Sequence, residues 1–226
     1  MRRIIAFEGI DGAGKTVQVN ALKTRLEASG RSCVVMEFPR YDSFFGKEIG
    51  KALSGKSEVR ADDVDAKSMA LWYAMDRWSA FEDAAGAAGE TPTETDFLLL
   101  NRYVLSNAAY QGVRSEDPLF YKWVFALEHQ TLGLPRPDVY FVLDAGADIS
   151  RKNVAAKGFR SYVGDEADVY ERMGRFLENA REAYLNFAKI LDNVMVIDCA
   201  EGGEMLAPDI ISLRIWEALE GLAIFG

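Results

Sequence analysis

The residues Gly9-Ile10-Asp11-Gly12-Ala13-Gly14-Lys15-Thr16 fit the pattern G-x-x-x-x-G-K-[ST], directly after the apolar run Ile4-Ile5-Ala6-Phe7 and directly before a helical pattern. A strand that ends in a glycine-rich turn and restarts as a helix turns a row of backbone N–H groups toward one hollow at the positive end of the helix dipole. Polyphosphate is the natural occupant, with Lys15 reaching its terminal phosphates and the Thr16 hydroxyl serving as one ligand of the accompanying Mg2+. Glycine at 12 and 14 lets the backbone approach without a Cβ in the way.

Two arginines stand just past candidate strands, in Phe38-Pro39-Arg40-Tyr41 and Asn101-Arg102-Tyr103. The planar guanidinium fork matches phosphate oxygens, so Arg40 and Arg102 could hold a second phosphate in line with the first. That is the chemistry of phosphoryl transfer. Arg77, beside Asp76 in a helical segment, reads equally as a binding residue or a structural ion pair.

The elements that must position these groups follow from periodicity. Apolar runs at Ile4–Phe7, Ser32–Glu37, Phe97–Leu100, Val139–Leu143 and Val194–Ile197 read as five buried parallel strands, with helical patterns between them. The first helix, Thr16 to about Ser29, sets Val19, Leu22 and Leu26 on one face and stops at Gly30. A long helix from Asp62 to about Ala85 carries Met69 to Trp78, apolar on more than one face, so that one face could meet another subunit. A last helix is expected over Asp209–Leu222. The resulting α/β class is a three-layer fold, a five-stranded parallel sheet covered by helices on both sides, with ligands beyond the carboxyl ends of the strands. Residues 151–168, with Lys152, Lys157, Gly158, Arg160 and Gly164 and little apolar periodicity, read as a basic flap within a single domain of 226 residues.

Composition narrows the partners. Acidic residues outnumber basic ones 35 to 26, which argues against a broad nucleic-acid or anionic-membrane surface and requires phosphate to be gripped locally. No apolar stretch approaches the roughly 18 residues of a membrane helix, and the chain enters a strand directly after Met1-Arg2-Arg3, so a cytoplasmic location is expected. Cys33 and Cys199, in apolar surroundings and with a single histidine in the chain, make no metal site and read as buried thiols rather than a disulfide.

Taken in series, the P-loop, Phe38-Pro39-Arg40, Asp76-Arg77-Trp78, Asn101-Arg102-Tyr103, the segment Ser106 to Gly112, and Leu134-Pro135-Arg136-Pro137-Asp138 with Leu143-Asp144 resemble the successive signatures of thymidylate kinases, through Tyr184. The resemblance implies a homodimer formed by helices, and transfer of the γ-phosphoryl group of ATP to dTMP with Mg2+. It implies that Asp11 lies near the acceptor and the metal, and that Arg40 and Arg102 bind the monophosphate. Tyr73 then stacks on thymine, Phe38 lines the same pocket, Arg77 reads thymine O4, Asn107 faces N3 and Tyr110 crowds the sugar 2′ position, with Ser106, Gln111 and Tyr170 also at the substrate. Because the variable P-loop positions Ile10, Asp11, Gly12 and Ala13 include no basic residue, the positive charge over the transferring phosphoryl is expected from the flap, from Arg160 first and then Lys157 or Lys152.

One position departs from the family pattern: Asn101 stands where an aspartate usually does. Asparagine keeps the size and a carbonyl acceptor but loses the charge that attracts Mg2+, so either Asp11 with Asp165, Glu166 and Asp168 compensates or catalysis is slow. Asn101→Asp is then expected to raise activity at low Mg2+. The same departure keeps open a second class, a nucleotide-binding regulatory homologue with impaired chemistry. No N-K-x-D element for guanine is present, and a deoxynucleoside kinase would have no use for an arginine clamp on phosphate.

Overall fold

The computed structural model describes residues 2–55, 58–86, 95–157 and 175–222. Strands β1 (Arg3–Glu8), β2 (Cys33–Glu37), β3 (Phe97–Asn101), β4 (Val139–Asp144) and β5 (Val194–Asp198) form a parallel sheet in the order β2-β3-β1-β4-β5. All five expected strands are present, most extended by a residue or so at one or both ends. Those extra residues matter, because Glu8, Asn101 and Asp144 are the last residues of β1, β3 and β4.

Alternation along each strand divides the interior into two layers. Ile5, Phe7, Leu99, Phe141 and Leu143 pack toward α1 (Lys15–Ala28) and α8 (Pro208–Gly221), burying Val19, Leu22, Leu26, Ile211 and Ile215. Ile4, Ala6, Leu98, Leu100, Tyr140 and Val142 face the opposite layer. That layer is built from α2 (Phe44–Ser54), α3 (Ala66–Gly86), α4 (Val104–Ser115), α5 (Phe120–Phe125), a π-helical turn over Ala126–Thr131, and α7 (Phe176–Ile190). A short hairpin, β6 (Ala200–Glu201) with β7 (Glu204–Met205), precedes α8.

The long helix begins at Ala66 rather than near Asp62; Asp65 accepts hydrogen bonds from the N–H groups of Lys67 and Ser68, as a residue before a helix does when it satisfies the open donors of the first turn. Helix α2 is set by Ser43, whose Oγ accepts from Gly46 N–H at 2.9 Å and donates to Asp76 Oδ1 at 2.6 Å, so that its start is tied to α3. The expected flap differs in its first part. Residues 151–157 are helical, the second half of α6 (Ala147–Lys157), where little apolar periodicity suggests a loop; residues 158–168 lie outside the described residues. Cys199 is buried and Cys33 half-buried, and burial raises the Cys33 thiol to about 11 and the Cys199 thiol to about 12.

Candidate active site

The chain leaves β1 at Glu8 and makes its turn with Gly9, Gly12 and Gly14 at φ of 123°, 87° and 90°, a region that favours glycine. At Gly12 space is equally decisive: a Cβ there would lie 2.1 Å from the carbonyl oxygen of Ser150, and Asn153 Nδ2 donates to the Gly12 carbonyl at 3.0 Å. Helix α6 therefore clasps the loop from outside. Lys15 closes it from inside, its Nζ donating to the carbonyls of Gly9 at 3.0 Å and Ile10 at 2.8 Å. Helix α1 starts from Gly14, so the N–H groups of its first turn open onto this loop beside the exposed Thr16.

Pleating then sorts the strand-end residues between the two layers. Glu37, Asn101 and Phe7 are register partners on adjacent strands and face the α1 layer. There Asn101 Nδ2 donates to Thr16 Oγ1 at 3.2 Å and to Glu37 Oε1 at 2.9 Å. Glu8 and Arg102, each one residue out of step, serve the other layer. Glu8 is fully buried and accepts from Tyr103 N–H at 2.9 Å, from Ser106 N–H at 3.2 Å, from Ser106 Oγ and from Tyr184 Oη at 3.3 Å, so it receives the start of α4. Burial raises its carboxyl above the usual range, against the hydrogen bonds of Ser106 and the charge of Arg102.

Arg102 donates through Nη1 to the Gly9 carbonyl at 2.9 Å and through Nη2 to Asp11, and its Cζ lies 5.3 Å from the Tyr110 ring centre. The structure thus joins the P-loop, Asp11, Arg102, Ser106 and Tyr110 in one cluster. Arg40 lies along α3: its Nη2 donates to Ser79 Oγ at 2.8 Å, Asp83 stands at 3.3 Å, and its backbone N–H donates to Asp76 Oδ2 at 2.8 Å. Asp76 is accordingly the partner of Arg40 and Ser43, not of its neighbour Arg77.

Arg77 is paired with Glu128 instead. Its Nε and Nη2 donate to the two carboxylate oxygens at 2.6 and 2.7 Å, with both side chains almost completely buried. Burial alone would lower the guanidinium pKa, but Glu128 outweighs it and the net direction is upward. The same carboxylate accepts from Asn107 Nδ2 at 2.7 Å, and that amide also donates to the Ala70 carbonyl at 3.0 Å. Asn107 Oδ1 is buried and has no hydrogen-bond partner among the described residues, an acceptor held in place for a donor.

Aromatic residues pack around these groups. Phe38 is buried between Phe81 and Tyr103, at 6.5 and 6.4 Å between ring centres, and Tyr73 is half-buried against the same core. Tyr110 meets Phe176 and Tyr184 edge to face at 5.7 and 6.5 Å. Gln111 is buried with its Oε1 taken by Arg114 Nη1 at 2.9 Å. Arg160 and Tyr170 lie outside the described residues, as do Asp165, Glu166 and Asp168.

Sequence reasoning missed three carboxylates, Glu8, Glu37 and Glu128, and the pair in which Arg181 grips Asp144 at 2.5 and 2.6 Å. A signal existed for each of the three. Glu8 and Glu37 end apolar strand runs, and Glu128 follows Val124-Phe125-Ala126-Leu127, where an unpaired charge would be costly.

Comparison with known proteins gives the family of the chain and its fold. The family model described as thymidylate kinase matches residues 7–210. A thymidylate kinase from Mycobacterium tuberculosis is 34% identical over 189 residues, covering 82% of this chain and 85% of the relative. A probable thymidylate kinase from Methanosphaera stadtmanae is 30% identical over 206 residues, 91% and 94% of the two chains. In fold, the chain is similar to the solved thymidylate kinase of Candida albicans, with a TM-score of 0.73, 19% identity, and coverage of 100% of this chain and 94% of that one.

Proposed function

The chain belongs to the thymidylate kinase family, whose reaction moves the γ-phosphoryl group of ATP to dTMP and yields dTDP and ADP, and from that premise we propose the roles of its own residues. The observation that carries the assignment is the unpartnered Oδ1 of Asn107 beside the Arg77–Glu128 pair. Thymine offers one ring N–H donor, at N3, and adjacent carbonyl oxygens at O2 and O4. A fixed acceptor next to a fixed guanidinium matches N3 and O4 together, and a buried polar site of this kind rejects bases that leave its groups unpaired. Tyr73 and Phe38 supply the flat apolar walls, and Tyr110 stands beside Arg102 where the sugar would enter.

The phosphates fall to the strand ends. The loop amides and Lys15 bind the ATP phosphates, while Arg102 and Arg40 bind that of dTMP. Both arginines are already paired with carboxylates, Arg102 with Asp11 and Arg40 with Asp83 and Asp76, so an incoming phosphate replaces acid oxygens with its own. With the phosphate in its place on Arg102, Asp11 orients the acceptor. Arg160 supplies the positive charge over the transferring group and excludes water there.

Hard oxygen donors suit Mg2+, and two of them, the Thr16 hydroxyl and the Glu37 carboxylate, are linked here through the Asn101 amide N–H2, which donates to both. Thr16 would ligate the ion, with Asp11 near the acceptor side. Bound there, Mg2+ neutralises charge on the phosphate oxygens. The exposed Leu71 on α3 and the apolar neighbours Trp72 and Met75 support a homodimer through that helix, to be read as twice 25.1 kDa by light scattering. No helix among the described residues is long and apolar enough to cross a membrane; a cytoplasmic reaction is the reading we adopt.

The test is ADP release from ATP and Mg2+ with dTMP, dUMP, dCMP, AMP, thymidine or no acceptor. Turnover with dTMP well above the others is expected; equal turnover with AMP would remove Asn107 and Arg77 from base selection. Binding of ATP and dTMP without turnover would favour the regulatory alternative, which nothing in the comparisons supports.

A further inference from the structure

The aspartate expected at the end of β3 is replaced by Asn101, yet a carboxylate stands beside that position, one strand over. Glu37 ends β2 in direct register with Asn101 and turns to the same face. Its Oε1 accepts from Asn101 Nδ2 at 2.9 Å, and that same amide nitrogen donates to Thr16 Oγ1 at 3.2 Å. The three side chains form one line from the edge of the sheet to the P-loop hydroxyl. Asp11, on the loop itself, has its charge engaged by Arg102 on the opposite layer, and Glu8 before it is buried against α4.

We propose that Glu37 is the positioning carboxylate for the Mg2+ of the bound nucleotide, supplying from β2 the charge that Asn101 no longer supplies from β3. The inference rests on the reading in which Thr16 ligates the ion. Two physical consequences follow from the contact. Glu37 orients the Asn101 amide, because a flipped amide would set its carbonyl oxygen against a carboxylate oxygen, acceptor against acceptor. Mg2+ keeps several waters, and Glu37, solvent-exposed on the face that carries Thr16 and linked to it through Asn101, would hold one of them. Asn101→Asp by itself then brings no gain, since it sets two like-charged carboxylates in contact with no hydrogen between them. The charge can instead be moved intact by exchanging both residues.

The experiment measures the affinity of Mn2+, as a paramagnetic probe, for the protein saturated with ADP, together with the thermal stability of the metal-free protein. Glu37→Gln is expected to weaken Mn2+ binding about tenfold or more, the usual effect of removing an outer partner of a metal ligand. In the double variant Glu37→Gln/Asn101→Asp, the amide introduced on β2 can donate to the carboxylate introduced on β3. Its affinity is expected to return to within about threefold of the parent, with metal-free stability unchanged in both variants. Thr16→Val distinguishes failure of the Glu37 role from failure of the Thr16 reading. If Thr16→Val loses Mn2+ and Glu37→Gln does not, Glu37 has no such role and the Thr16 reading stands. If Thr16→Val binds Mn2+ as the parent does, both fall. A loss in Glu37→Gln that the double variant fails to restore also overturns the proposal, leaving Glu37 a structural neighbour of Asn101.

Discussion

Glu128 holds the Arg77 guanidinium by both carboxylate oxygens, at 2.6 Å to Nε and 2.7 Å to Nη2, and with the same carboxylate fixes the Asn107 amide. Arg77 is thus held by an acid on the π-helical turn over Ala126–Thr131 rather than by its sequence neighbour Asp76, and under the proposed function that acid would aim it at the base. Removing one partner of a buried pair leaves an uncompensated charge, at a cost of about 3–5 kcal/mol. Glu128→Ala should lower stability in urea by that order. Arg77→Met/Glu128→Leu should recover most of the stability while KM for dTMP stays high. Recovery of both would show that the pair is structural only.

Asn107→Leu removes the buried acceptor and one donor to Glu128. It should raise KM for dTMP about tenfold or more, the effect of about 1.4 kcal/mol or more of lost hydrogen bonding, with a smaller change in kcat. A parallel fall in kcat with KM unchanged would mean that the acceptor does not contact the ground-state base.

At Gly12 a side chain meets the Ser150 carbonyl at 2.1 Å and also adopts a φ of 87°. The backbone strain alone is worth roughly 1–2 kcal/mol, and α6 must move away to make room. Gly12→Ala should therefore weaken ATP binding by calorimetry more than it weakens dTMP binding, because the displaced helix clasps the loop after β1 and not the α3 and α4 residues Arg77 and Asn107.

Glu8 bears on pH dependence. Its folded pKa lies above the unfolded value near 4.5, because burial disfavours the charged form. Its contribution to stability is then fully present below that unfolded value and is lost as pH rises through the raised folded value. Glu8→Gln cannot ionise, so its Tm relative to the parent should climb as pH increases above about 4.5 and then level off. A constant difference across pH would show that Glu8 does not titrate in this window.

Arg160→Ala is expected to lower kcat by on the order of 10³-fold while KM for dTMP changes little, as for other arginines that meet charge only in the transition state. If kcat holds and Lys152→Ala or Lys157→Ala lowers it, the charge comes from the adjoining part of the same segment.

Much of the fold was legible because burial writes a simple code. Each of the five strands is a run of apolar residues that no amphipathic helix requires, and the helices α1, α3 and α8 show their faces or their length in the spacing of large side chains. Residues 151–157 read as loop in the sequence because a short helix rich in Lys, Arg and Asn, with a loop to clasp rather than a broad core to cover, has a weak apolar stripe. The roles of Glu8, Glu37 and Glu128 were hidden for another reason: each acts on a residue 21 to 98 positions away in the chain.

Local spacing, glycine at positive φ and apolar periodicity were enough to define the phosphate loop, the parallel sheet and the order of the strand-end groups. The pairing of those groups emerged only when the layers came together. Strand register placed Glu37 beside Asn101, pleating sent Asn101 to α1 and Glu8 to α4, and packing of the π-helical turn against α3 delivered Glu128 rather than Asp76 to Arg77. Charge pairing is a matter of distance through space, and spacing along the chain carries no record of it until the layers are stacked.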